Sequence, residues 1–240
     1  MEADIGITGA NVISSDGGIF ILENEGNISL VSRLPQKHLI ITSIDKIVPT
    51  TQDAITICKA CGIWGSGVSL PTYINVISSV SRTADVQKQL VLGMHGPKEV
   101  YLILVDNGRT EMIKENFTEI LECINCGACL YPCPVYRNVL DKYGLHYFGG
   151  RGIGMTVFQE GLKEGFERGM YYCTTCELCK QHCPMDIDIP KLIKKLRSKA
   201  VKKSFETDVN SKMMDNIRTI GNPFGEELKE GKLPDKLYCC

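Results

Sequence analysis

The sequence predicts an α/β region over residues 1–117, followed by a mainly helical, cysteine-rich region over 118–204 and a helical extension over 205–240. Three observations carry this division. Residues 4–8, 18–23, 28–31 and 38–43 are short runs rich in Ile, Val and Leu. Ser15-Asp16-Gly17-Gly18 and Asn24-Glu25-Gly26-Asn27 punctuate them as turns. Most cysteines fall in the second half, in two runs of identical spacing.

In the first half, residues 51–61 read as a helix with Ala54, Ile57, Cys58 and Cys61 on one face. Residues 99–106 form a strand in which Val100, Leu102, Ile103, Leu104 and Val105 are nearly continuous, the pattern of a sheet covered on both faces. In the second half, residues 117–121 lead as a helix into the first cysteine run. Asp188 reads as an N-cap with Pro190 in the first turn of a helix carrying Ile189, Leu192, Ile193, Leu196 and Ala200. A further helix is expected over 205–219, stopped by Asn222-Pro223-Phe224-Gly225.

Composition narrows the function. The chain has 240 residues, 43% apolar and 23% charged, with a net charge of −1, so no global field advertises nucleic acid as a partner. The start has no signal-peptide pattern, and no stretch reaches the roughly 20 apolar residues of a membrane span. A cytoplasmic protein without a membrane span is expected. Twelve cysteines in that compartment point to metal rather than to disulfides.

The cysteines supply the chemistry. Cys123, Cys126, Cys129 and Cys133 lie at offsets 0, 3, 6 and 10 with Pro134 following. Cys173, Cys176, Cys179 and Cys183 repeat those offsets with Pro184 following. This is the C-x2-C-x2-C-x3-C-P run of ferredoxins with two [4Fe–4S] clusters. Two intervening residues let a tight loop aim three thiolates at three irons, and the proline turns the chain away behind the fourth cysteine. In such ferredoxins the fourth cysteine ligates the other cluster. One cluster is therefore assigned Cys123, Cys126, Cys129 and Cys183, and the other Cys173, Cys176, Cys179 and Cys133. Zinc sites use two separated ligand pairs and match this spacing poorly. All-cysteine cubanes carry single electrons and leave no cysteine position open for substrate, which favours electron transfer over catalysis at the clusters.

Weaker features each have a plain reading. Cys58 and Cys61 form a C-x-x-C that could be a redox pair but reads better as two small residues on a helix face. Cys239 and Cys240 read as a frayed end or the start of a further domain. Lys191, Lys194, Lys195, Arg197, Lys199, Lys202 and Lys203 make a basic helix that could dock an acidic partner or simply face solvent. Gly149-Gly150-Arg151-Gly152-Ile153-Gly154 fits no full phosphate-binding fingerprint, and a connector is the better reading. His38, His95, His146 and His182 show no arrangement suggesting a triad.

Ile5-Gly6-Ile7-Thr8-Gly9-Ala10-Asn11, Glu23-Asn24-Glu25-Gly26-Asn27, Ile44-Asp45-Lys46-Ile47-Val48-Pro49-Thr50, Gly96-Pro97-Lys98-Glu99 and Val105-Asp106-Asn107-Gly108-Arg109 resemble the LUD domain. The Cys123–Cys133 run with Pro134-Val135-Tyr136-Arg137 resembles the iron–sulfur segment of the lactate utilization iron–sulfur protein family, the B subunit of a three-part lactate oxidation system. Tyr172-Cys173-Thr174-Thr175-Cys176 also resembles the C subunit of heterodisulfide reductase. The resemblance implies a partial LUD domain with a Rossmann-like sheet, a two-cluster ferredoxin module, and an electron-transfer role in oxidising lactate to pyruvate rather than a stand-alone enzyme. It implies redox partners, either a flavoprotein or a cysteine-rich iron–sulfur subunit. An alternative is that the LUD part binds a small ligand and does chemistry near Glu25. The family has a long region upstream of the Ile5 motif, and Leu237-Tyr238-Cys239-Cys240 looks like the opening of a cysteine-rich domain. The sequence thus reads as a fragment or the product of a split gene.

Overall fold

In a computed structural model, residues 3–23, 26–84 and 89–226 are described. Strands β1 (Ile5–Thr8), β2 (Val12–Ser14) and β3 (Ile19–Glu23) precede helix α1 (Gly26–Arg33), strands β4 (Lys37–Ser43) and β5 (Ile47–Val48), and helix α2 (Thr51–Cys61). Strands β6 (Tyr73–Ile77), β7 (Arg82–Thr83), β8 (Val91–Leu92) and β9 (Glu99–Val105) complete the first half. Sheet β1-β4-β9 is parallel, while sheet β5-β2-β3-β6 is mixed. The α/β expectation therefore holds.

Two details differ from the sequence reading. Residues 28–31 are helical, inside α1, not a strand. The parallel pairing of β1 with β4 needs a crossover between them, and that demand overrides the β-preference of Ile28 and Val31. The helix closes tightly on β1: a Cβ on Gly6 would lie 2.0 Å from the Val31 carbonyl oxygen. The second difference concerns β9. It forms over 99–105 as expected, but its apolar side chains are not covered on both faces. Tyr101, Leu102, Ile103, Leu104 and Val105 are each more than a third exposed, because β9 is the outer strand of a three-stranded sheet.

Helix α2 starts on a capping box. The Thr50 hydroxyl accepts from the Asp53 backbone N–H, and the Asp53 carboxylate accepts from the Thr50 N–H. Ala54 and Cys58 on its inner face are fully buried with Val12 and Phe20 in a small core between α2 and the mixed sheet. A buried ion pair between Asp45 and Arg109 ties the loop after β4 to the next helix, α3 (Arg109–Lys114).

The second half is helical: α4 (Pro134–Val139), α5 (Gly149–Glu160), α6 (Leu162–Glu167), α7 (Leu178–Gln181), α8 (Ile189–Lys202) and α9 (Asp208–Ile220). Residues 118–122 form a 3-10 turn rather than a longer helix. The final helix begins at 208, capped by Thr207, and ends at Gly221 in the left-handed region (φ +81°). A larger core joins Met112, Phe117, Ile120, Tyr143, Ile153, Met155 and Met170 to Leu192, Ile193 and Leu196 of α8. Among the described residues no helix is long and apolar enough to cross a membrane.

Candidate functional site

Both cysteine runs fold into loops of matching backbone. The second and fourth residues after the first cysteine of each loop are left-handed: Asn125 (φ +58°) and Gly127 (φ +78°) in one, Thr175 (φ +55°) and Glu177 (φ +66°) in the other. Asn and Gly accept that conformation readily. A β-branched Thr and a Glu do not, so the second loop holds its shape at a conformational cost. Such strain is retained where neighbouring structure dictates it, and here the same fold is made twice from different residues.

The loops face each other across two cavities. One is lined by Cys123, Cys126, Cys129, Cys179 and Cys183, with Met185, Ile187 and Ile189 as apolar lining. The other is lined by Cys129, Cys133, Cys173, Cys176 and Cys179, with Leu130, Val135 and Tyr143 alongside. Each cavity is thus lined by three cysteines of one run and two of the other; Cys183 lines only the first and Cys133 only the second. Cys176 is exposed and the other seven are half-buried. Among the described residues no three His, Cys, Asp or Glu converge as a single-ion site.

Local structure explains this placement. Cys133 is the N-cap of α4, its sulfur accepting from the Tyr136 N–H at 3.4 Å, with Pro134 in the first turn where its missing N–H costs nothing. The Cys123 sulfur accepts from the Asn125 N–H at 3.4 Å. Tyr143 is wholly buried and lines the second cavity together with Cys173. Asp188 caps α8 by accepting from the Lys191 N–H at 3.1 Å and also accepts from Lys180 at 2.8 Å, which ties α7 to α8.

The glycine-rich run 149–154 is the first half of α5, not a phosphate loop. Its glycines admit neighbours. A Cβ on Gly150 would meet Ile189 Cγ2 at 2.5 Å, on Gly152 the Tyr147 carbonyl oxygen at 2.0 Å, and on Gly154 Ile120 Cδ1 at 2.4 Å. The basic helix α8 is likewise more engaged than its sequence suggests. Arg197 donates to the carbonyls of Met170 and Cys173, Lys191 pairs with Glu119, Lys195 donates to the Asn116 carbonyl, and Lys199 pairs with Glu115 over the Phe117 ring. These bonds fasten the second cysteine loop and the 115–119 segment to the core.

Cys58 is fully buried on α2, and burial with the neighbouring Cys61 thiol pushes its pKa up to about 11. That makes it an inert core thiol, the plain reading of the C-x-x-C. Cys61 differs. Its sulfur contacts the Ile124 carbonyl at 3.8 Å, and Gly65 packs on the Cys126 backbone. Cys61, Lys46, Asn11 and Asp45 join Cys123 and Asn125 around a cleft of about 520 Å³ between the two halves. No spacing in the sequence could signal this, since the contact spans 63 residues. His182 is held by its ring nitrogen to the Leu178 carbonyl at 2.9 Å. Glu25, Cys239 and Cys240 lie outside the described residues.

Two family models match the chain. Residues 1–105 match the LUD domain and residues 119–187 the 4Fe-4S dicluster domain. Proteins named lactate utilization protein B are similar along most of the chain. That of Lysinibacillus sphaericus is 33% identical over 223 residues, 92% of this chain and 45% of that protein. That of Bacillus velezensis is 31% identical, over 96% and 47%, and that of Bacillus subtilis 32%, over 89% and 43%. The chain therefore spans less than half the length of these relatives. A DUF162 family protein from Deinococcus radiodurans is 20% identical over 43% of this chain and 54% of that one, at a TM-score of 0.29, too loose a match to define the fold. The chain is thus similar to the LUD domain over residues 1–105, to the 4Fe-4S dicluster domain over residues 119–187, and along most of its own length to proteins named lactate utilization protein B.

Proposed function

We propose that the chain is the electron-conducting part of a lactate-oxidising or related redox complex, holding two [4Fe–4S] clusters on crossed cysteine sets. Cys123, Cys126, Cys129 and Cys183 hold one; Cys173, Cys176, Cys179 and Cys133 hold the other. The observation that carries this reading is the crossing of the fourth cysteines: Cys183 faces the cavity of the first run, and Cys133 that of the second. The donor set fits, since each apolar cavity offers soft thiol ligands of the kind such clusters take, the assigned four among them. When bound, the clusters supply one-electron transfer. The chain's own residues position the thiolates and keep water away. The Arg197 bond to the Cys173 carbonyl fixes the second loop and Tyr143 walls its cavity, while Met185, Ile187 and Ile189 wall the first.

The same reading divides the chain into a partial LUD domain (1–117), a cluster domain (118–204) and a helical extension (205–240). Two separate hydrophobic cores support a division into two parts, with Met112 and Phe117 already packed into the second core. It places the chain in the cytoplasm with a flavoprotein or a cysteine-rich iron–sulfur subunit as partner. The exposed Cys176 loop offers such a partner a short path to the second cavity. The test is anaerobic purification from cells grown on lactate. Clusters reduced by dithionite and a copurifying redox subunit are expected. Irreducible clusters and no redox partner would overturn the reading.

A second reading has one observation in its favour. The cleft beside Cys123 is large enough for a small organic ligand, so the LUD part could bind substrate itself. Lactate-dependent turnover that is unchanged in both Glu25→Gln and Lys46→Gln would dismiss it.

A further inference from the structure

Arg151, from the glycine-rich start of α5, is 7% exposed and is among the residues lining both cysteine cavities. Among the described residues no other Lys, Arg or His lines either one. The guanidinium lies over the Tyr147 ring, 4.4 Å from its centre, and its Nε–H has no hydrogen-bond partner. A buried, charged donor left unpaired is costly, and native structures rarely keep one without a reason. Four thiolates gathered in each apolar cavity raise the opposite problem, since buried negative charge needs compensation. The flanking glycines let the helix carrying Arg151 come close to both cavities. Gly150 lies against Ile189, which also lines both.

We propose that Arg151 is a shared tuning charge: its guanidinium faces both cluster sites, offers them N–H donors, and raises both reduction potentials together. This rests on the two-cluster reading. The physical reason is direct. Reduction adds negative charge to a site that is already anionic, and a fixed cation in a dry environment favours the more negative state. One cation between two sites also links them, because screening it at one site changes what the other feels.

The test is an EPR-monitored redox titration of the reconstituted chain, comparing wild type with Arg151→Gln, Arg151→Lys and the exposed-site control Arg137→Gln. A charge-assisted hydrogen bond to a buried anion is worth about a factor of ten in equilibrium. Both midpoints in Arg151→Gln should therefore fall by about 59 mV or more, the one-electron equivalent of tenfold. Arg151→Lys should stay closer to wild type, and Arg137→Gln should not move. If Arg151→Gln fails to load iron while Arg151→Lys loads normally, the need for charge is supported at the assembly step. Fully loaded Arg151→Gln with unmoved midpoints, a shift at one cluster alone, or equal failure of the Gln and Lys variants to load would overturn the proposal. A wild-type chain lacking eight irons would instead count against the two-cluster reading itself.

Discussion

Substituting Gly152 by Ala tests the close packing that brings α5 to the cysteine loops. A Cβ there would lie 2.0 Å from the Tyr147 carbonyl oxygen and 2.4 Å from its carbonyl carbon, where ordinary contact begins at 3.4 Å. The obstacle is backbone, so helix or loop must move by more than 1 Å, which displaces Tyr147 and the Arg151 guanidinium stacked on it. Overpacking of this kind costs about 1–3 kcal/mol, and an immovable neighbour places it at the upper end. Replacing a helix-interior Gly by Ala returns about 1 kcal/mol. The net loss is about 2 kcal/mol, or roughly 4–8 °C in Tm for a chain of this size. Gly154→Ala is the matched comparison. The same propensity gain applies, but the clash is with Ile120 Cδ1, the tip of a side chain that can rotate. It should stay within about 1 kcal/mol of wild type. Anaerobic urea unfolding followed by circular dichroism, with iron content measured in parallel, reads both. Wild-type stability in Gly152→Ala, or an equal loss in Gly154→Ala, would refute the packing argument.

Other outcomes follow from single contacts. Leu196→Ala in the core should cost about 2–5 kcal/mol in the same unfolding experiment, since Leu196 is fully buried. Arg109→Ala leaves the Asp45 carboxylate buried without its partner and should cost about 3–5 kcal/mol. Burial alone would raise the Asp45 pKa, but the Ser43 hydrogen bond and the charges of Arg109 and Lys46 outweigh it and hold the carboxyl below its usual range. Its stabilising contribution is therefore complete above the unfolded carboxyl pKa of about 3.9 and is lost as pH falls through the lower folded value, which an acid titration of the wild type against Arg109→Ala will show. Thr175→Asn, matching Asn125 of the first loop, should raise the unfolding free energy by about 0.5–1 kcal/mol by relieving a left-handed β-branched residue.

Much of the site was legible because metal-ligand spacing is local. The offsets of the eight cysteines and the Asp188 cap needed no tertiary information. Helix α2 was equally clear, since its apolar face and its Thr50 start are both written in consecutive residues. Tertiary demands decided the rest. Residues 28–31 look like a strand by composition, yet a parallel pair on either side of them requires a helix. The glycine run 149–154 resembles a ligand loop until the neighbours of each missing Cβ are known. The charges of α8 suggest a docking face, but their partners lie 72, 79 and 84 residues away. Arg151 gave no signal at all, because what marks it is its place between two cavities.

The account stands most directly on the crossed cysteine sets. Iron and acid-labile sulfide should be quantified, with EPR of the reduced protein, in wild type, Cys183→Ala and Cys133→Ala after anaerobic reconstitution. The account predicts eight irons and eight sulfides in the wild type. Cys183→Ala should perturb the cluster held by Cys123, Cys126 and Cys129, and Cys133→Ala the one held by Cys173, Cys176 and Cys179. A colourless zinc-loaded protein, or each variant perturbing the cluster of its own run, would contradict it.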